Sequence, residues 1–212
     1  MVFAKPARPA ATVVDGVLLK PPFTIRVQKP EHPSTVPSGY DAIDYTIYFD
    51  YCREQDFDPN TQTCASYLNG LGLALHATGS VFDVRLQARE YYTGSGQIVA
   101  VVASNFTLAS KHTIDLNLSG CNVSLAVDGK TYLQTNMFKE AQPLTRINFE
   151  AVAYQAGSAT DAPTEFTDPA WIIDVITGVD IASIINIVVP IAVSAAVAAA
   201  IIATVTKLAE KI

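Results

Sequence analysis

From Ile181 to Thr206 the chain carries no charged side chain: IASIINIVVPIAVSAAVAAAIIATVT. As a helix this run would rise about 39 Å at 1.5 Å per residue, enough to cross a hydrocarbon core of about 30 Å with some tilt. A helix bordering water keeps a polar stripe, whereas the only polar interruptions here are Ser183, Asn186, Ser194 and Thr204. Pro190 removes one backbone hydrogen bond and kinks the helix, which membrane helices tolerate when neighbouring groups satisfy the freed carbonyl. Asp180 stands where an N-cap accepts orphaned amides, and Lys207 and Lys211 complement the negative end of the helix dipole. The run predicts one transmembrane helix over residues 180–208, a tail over 209–212, and a lipid membrane as partner. The alternative is an apolar helix buried in a protein assembly; Ala192–Ala200 with Ser194 offers the small side chains that close helix packing needs.

The flanks suggest an orientation. Asp174 and Asp180 precede the run, while Lys207 and Lys211, with Glu210, follow it. The positive-inside rule then puts the C-terminus inside a cell or an enveloped particle and the larger N-terminal part outside. The expected location is that of a single-pass protein of the cell surface or a virion membrane. The opening MVFAKPARPAATVVDGVLL has Pro6 and Pro9 and no continuous apolar stretch of the secretory kind, so tail anchoring is expected. Residues 1–22 read as an extended arm and residues 155–170 as a linker rich in Gly, Ala, Ser, Thr and Pro. Asp168-Pro169 has the cap and first-turn pairing that starts a helix. Residues 171–179 are therefore expected as a short interfacial helix with Trp171 at headgroup depth.

Between these segments the period is two. Ile43, Tyr45, Ile47, Phe49 and Tyr51 alternate with Asp44, Thr46, Tyr48 and Asp50, which predicts a long strand with one face inward. Further runs are Gly70–Ala77, Val81–Tyr91, Gly96–Val102, His112–Leu118, Asn122–Val127, Thr131–Gln134 and Thr145–Ala153. Turn signals separate them, among them Gly79-Ser80, Ser119-Gly120 and Asp128-Gly129. The expected fold is mainly β, an antiparallel β-sandwich or jelly roll over residues 23–154, followed by the transmembrane helix. His112-Thr-Ile-Asp-Leu-Asn-Leu, the Ser119-Gly120 turn, Cys121-Asn-Val-Ser-Leu-Ala-Val and Asp128-Gly129-Lys130 form two successive hairpins. With Phe82-Asp-Val-Arg-Leu-Gln-Ala-Arg and Gly96–Val102, this stretch resembles laminin-G and concanavalin-type sandwiches over Gly39 to Ala153. That resemblance implies glycan or protein binding through rim loops, in some cases with calcium. The family's compact metal-ligand pattern has no match in this sequence.

No enzyme motif is present: G-x-S-x-G, H-E-x-x-H, G-x-x-x-x-G-K-[ST] and C-x-x-C are all missing. Glu90, Glu140 and Glu150 lack the paired acid signature of glycoside hydrolysis, so the chain is expected not to be an enzyme and to need no cofactor. Asp56, Asp58 and Asn60 resemble an EF-hand start, but Thr61 and Tyr67 stand where Gly and Glu are required, so an Asx-stabilised turn is expected instead. The net charge is −6; removing Trp171 onward, with three acids and two lysines, leaves −5, which argues against a nucleic-acid binder.

Cys52 and Cys64 bracket the turn-rich REQDFDPNTQT. This predicts a disulfide between them and a free Cys121, against the alternative of three reduced thiols. Asn105, Asn117 and Asn122 each begin an N-x-[ST] triplet and are candidate glycosylation acceptors; Asn117 and Asn122 flank a hairpin turn and are expected to be the better exposed pair. Tyr48 lies on the strand face opposite Tyr45 and Tyr51 and is a candidate contact for a partner or ligand. The leading functional expectation is a membrane-anchored structural subunit or adaptor working through protein–protein contacts in a homo- or hetero-oligomeric virion or cell-surface assembly. In this it resembles the small β-sandwich adaptor and vertex proteins of archaeal viruses. The competing expectation is a membrane-tethered module that binds glycans.

Overall fold

Phe23, Ile25, Val27 and Lys29 are buried while Thr24, Arg26 and Gln28 between them are not, and this two-residue period runs through most of the chain. The computed structural model describes residues 2–8, 12–58, 60–61, 63–88, 98–136 and 144–177. Its strands are β1 (Val2–Ala4), β2 (Thr12–Leu19), β3 (Phe23–Lys29), β4 (Ala42–Cys52), β5 (Phe57–Asp58), β6 (Thr63–Cys64), β7 (Tyr67–Thr78) and β8 (Val81–Ala88). They continue with β9 (Ile98–Thr107), β10 (His112–Ser119), β11 (Asn122–Val127), β12 (Lys130–Asn136), β13 (Leu144–Gln155), β14 (Ser158–Asp161) and β15 (Trp171–Thr177).

Two sheets result. One has the order β1-β15-β3-β10-β11-β12; the other runs β14-β13-β4-β7-β8-β9, with β2 also paired to β13. Every pairing between these strands is antiparallel. The inward side chains of both sheets form one core, in which Ile25, Val27, Ile114 and Leu116 meet Ile43, Ile47, Leu73 and Phe149. This is the antiparallel β-sandwich that the alternation predicts. Asp128 and Gly129 both have positive φ, 50° and 80°, and turn the β11–β12 hairpin. The Asp128 carboxylate ties that turn to β10 by accepting the Thr113 amide at 2.9 Å and bonding His112 Nδ1 at 2.7 Å.

The sandwich is longer at both ends than the expected 23–154. Part of the N-terminal arm is sheet: Val2–Ala4 pairs with β15, and β2 pairs with β13. The expected linker contains β14, hairpinned onto β13, and a helical turn at Thr164–Thr167. The interfacial helix is also corrected, because Trp171–Thr177 is a strand and Trp171 is fully buried against Tyr45 and Phe149, with ring centroids 4.9 and 5.2 Å away. Trp171 and Ile173 point inward while Ile172 and Asp174 do not, a period of two masked by the apolar residues on both faces. The first structural unit ends at Thr177. Residues 178–212, and with them Asp180, Pro190, Lys207, Lys211 and the expected transmembrane helix, lie outside the described residues. Among the described residues no helix is long and apolar enough to cross a membrane.

Cys52 and Cys64 are joined, with Cα atoms 6.0 Å apart, and Cys121 is free. The bond closes the loop holding β5 and β6, where Asp58 accepts the Asn60 amide at 2.8 Å in the expected Asx turn. Reduction of this bond is expected to lower stability by about 3 kcal/mol through loop-closure entropy, read as a drop in the denaturant midpoint of the C52S/C64S double variant. An unchanged midpoint would show that the loop is ordered without it.

At the far end of β3, Lys29 is buried and its Nζ donates to the carbonyls of Pro30, Leu108 and Ser110 at 2.8, 2.6 and 3.0 Å. Burial pushes its pKa down to about 8. Beside it the His32 ring lies among Tyr45, Phe166 and Trp171, with centroids 5.1, 5.8 and 5.6 Å away. Neither ring nitrogen has a hydrogen-bond partner of ordinary geometry, although the Pro30 and Phe166 carbonyls lie near enough to favour the protonated ring slightly. Burial, with the Lys29 charge adding to it, pushes the His32 pKa down to about 4. The folded state therefore holds this ring neutral, and its contribution to stability is full above about pH 6.5 and falls away as pH drops toward 4. The loss amounts to about 3 kcal/mol. His32→Phe should flatten the stability profile by that amount between pH 6.5 and 4; parallel profiles for the two proteins would refute the assignment.

Candidate functional site

Each sheet turns one face to the core and one away from it, and the two outer faces differ in chemistry. On the six-stranded sheet the polar groups bond one another. Arg26 makes a two-pronged contact to Asp115 at 2.7 and 2.9 Å, and that hydrogen bond and charge raise the Arg26 pKa. Thr24 donates to Asn117 Oδ1 at 2.6 Å, and Asn117 Nδ2 donates to Ser124 at 3.1 Å. These cross-strand pairs stiffen β3, β10 and β11 but leave little bonding capacity for a ligand.

The outer face of the seven-stranded sheet is built around small residues. Gly72 and Ala74 on β7 sit between Tyr48 and Thr46 of β4 and Gln87 and Arg85 of β8 in the strand register. A Cβ at Gly72 would meet Gln87 Oε1 at 3.2 Å and Tyr48 Cδ1 at 3.5 Å, so the missing side chain is what lets the tyrosine ring and the amide lie down on the sheet. Asn148 of β13 continues this row beyond Tyr48.

At one end of the face Asp50, itself buried, accepts on one oxygen from Arg146 Nε and Nη2 at 3.0 and 2.7 Å and from Asn148 at 2.9 Å. Toward the other end Asp44 and His76 are cross-strand partners, with Oδ1 and Nδ1 2.5 Å apart, and Asp83 lies on the far side of His76. Burial, together with the charges of Asp44 and Glu150, raises the pKa of the neighbouring Tyr154 phenol. Arg85 stands in the middle of the face. Among the described residues it forms no ion pair, and its buried Nε has no hydrogen-bond partner. The face thus combines a ring lying on the sheet, amide and guanidinium donors and carboxylate acceptors. Among the described residues no group of three His, Cys, Asp or Glu side chains could hold a metal ion.

Of the residues singled out by sequence, Tyr48 lies on this face. Asn105 and Asn122 are exposed, Asn105 at a backbone φ of 65°, whereas Asn117 is half-buried in mid-strand with both amide atoms bonded. Asn117 therefore does not share the exposure expected of the hairpin pair. Sequence reasoning passed over Asp44, Gly72, His76, Arg85 and Gln87. The alternation Asp83, Arg85, Gln87 placed three polar side chains on one face, but only the pairing of β8 with β7 sets them beside Tyr48.

No family model matches the chain, and no curated protein matches it. Among solved structures it is similar to Xenopus laevis galectin-Ib, at 8% identity over 78% of this chain and 99% of that one, with a TM-score of 0.43. It is similar to an alginate lyase of Pseudomonas aeruginosa at 11% identity over 74% of this chain and 65% of the lyase, TM-score 0.45. A toad ovary galectin in complex with thio-digalactose matches at 10% identity over 78% of this chain and 98% of that one, TM-score 0.42. At these values the likeness is that of one β-sandwich to another and extends to nothing finer.

Proposed function

We propose that the sandwich is a saccharide-binding module whose ligand lies on the outer face of the seven-stranded sheet, and that the uncharged run Ile181–Thr206 tethers it to a membrane. The observation that carries the reading is the Tyr48 ring and the Gln87 amide resting on Gly72, with the unpartnered Arg85 Nε beside them. A sugar presents an apolar C–H face to an aromatic ring and hydroxyl groups to planar donors and carboxylates, and this face offers both. The opposite sheet, whose polar groups are bonded to one another, offers far less. No catalytic step is assigned to the face. On this reading the exposed Asn105 and Asn122 are the triplets open to glycosylation.

The competing reading, a membrane-anchored structural subunit acting through protein contacts, is favoured by the uncharged run and the low charge content of 16%. The two part on a glycan array probed with the full-length chain in detergent. The saccharide reading expects saturable binding that survives calcium chelation. Tyr48→Ala and Gly72→Val should each weaken it at least about tenfold, with melting temperatures within a few degrees of wild type. A flat array across neutral and acidic sugars, with a protein recovered in stoichiometric complex from solubilised membranes or particles, would transfer the case to the structural reading.

A further inference from the structure

We infer that the saccharide taken by this face is acidic and that Arg85 grips its carboxylate or sulfate group; the inference rests on the reading of this face as a saccharide site. On β8, Val84 and Leu86 are buried in the core, which places Arg85 between them on the outer face. Its cross-strand neighbours are Ala74 and Val101, and neither can supply a counter-charge. The other basic side chains of the face are engaged, Arg146 by Asp50 and His76 by Asp44. Of the basic side chains on this face, Arg85 is the one with no ion pair and with a shielded N–H that has no acceptor, among the described residues. A shielded donor left unbonded costs free energy, and a planar fork of donors matches a carboxylate or sulfate better than it matches a lone hydroxyl.

The acids of the face do not cancel this preference. Asp83, two residues before Arg85, accepts the Asn105 amide at 3.3 Å. Asp44 faces His76. Glu150 shares the strand register row of Arg85 but stands three strands away, about 15 Å at ordinary strand spacing. In the direction of Gln87 the neighbours are Gly72, Tyr48 and Asn148, all uncharged. An anionic group above Gly72 would therefore have Arg85 and the Gln87 amide on one side and the Tyr48 ring on the other, with no acid between.

The test uses the full-length chain in neutral detergent micelles with three probes: tetragalacturonate, its full methyl ester, and a sulfated galactan tetrasaccharide. At about 0.15 M ionic strength one of the two acidic probes should bind at least about tenfold tighter than the ester, and which one it is separates carboxylate from sulfate. Arg85→Gln should lower that affinity about ten- to a hundredfold and abolish its salt dependence, while leaving the ester within about twofold. Arg85→Lys should keep a reduced preference for the acid, and melting curves of both variants should match wild type because the Arg85 side chain makes no hydrogen bond or ion pair to the described residues. Equal binding of acid and ester, or a preference that persists in Arg85→Gln, overturns the inference. If Tyr48→Ala still abolishes binding in that case, the saccharide reading of the face stands without it. Absence of binding to all three probes and to the wider array removes both.

Discussion

The contact on which the rest of the molecule hangs is the burial of Trp171 against Tyr45 and Phe149. Trp171 opens a strand of the six-stranded sheet, while Tyr45 and Phe149 belong to β4 and β13, adjacent strands of the other sheet. One indole therefore bridges the layers by packing on the adjacent strands β4 and β13, and it does so where the chain crosses from one sheet to the other. Tyr45 adds a second tie by donating its hydroxyl to the Phe166 carbonyl at 2.9 Å, which fixes the helical turn on the crossover. Large aromatic side chains contribute most of the energy of such a junction because they bury the most area per ordered torsion. The His32 ring, buried in the same cluster without a hydrogen-bond partner, makes this junction pH-sensitive.

With the layers fixed, the strict alternation of each strand settles what the outer faces carry. On β3 and β10 the outward residues are of complementary length and charge, and they close on one another. On β7 the outward Gly72 and Ala74 are too short to close on anything, so the longer side chains of β4 and β8 fold over them. The contrast between the faces is thus a matter of side-chain length opposite side-chain length across a spacing of about 4.8 Å.

The period of two made the sheets legible in the sequence, and the Asp128-Gly129 and Gly79-Ser80 turns fixed several registers locally. The disulfide was legible too, because the turn formers between Cys52 and Cys64 allow a short closed loop. What could not be read was anything set by non-local pairing. The short Val2–Ala4 segment has no alternation to speak of, and only its partner β15 makes it a strand. Trp171–Thr177 is apolar on both faces and adjoins a longer apolar run, so period and length pointed to different elements. Of the candidate face only Tyr48 was legible, as an outward tyrosine of its strand; Gly72 and Gln87 come from two other strands, and neither is distinctive alone.

The seating of β15 between β1 and β3 has a consequence for how the molecule is made. Of the six-stranded sheet, β3 is synthesised early but lacks one neighbour, and β1 lacks its only neighbour, until Trp171–Thr177 emerges. Until then the nascent chain carries an open edge on β3 and an unattached β1. Such long-range closure slows folding and leaves the intermediate open to edge-to-edge association. The order of manufacture thus runs against the order of assembly, and β1, made before the other described strands, is among the last to find its place.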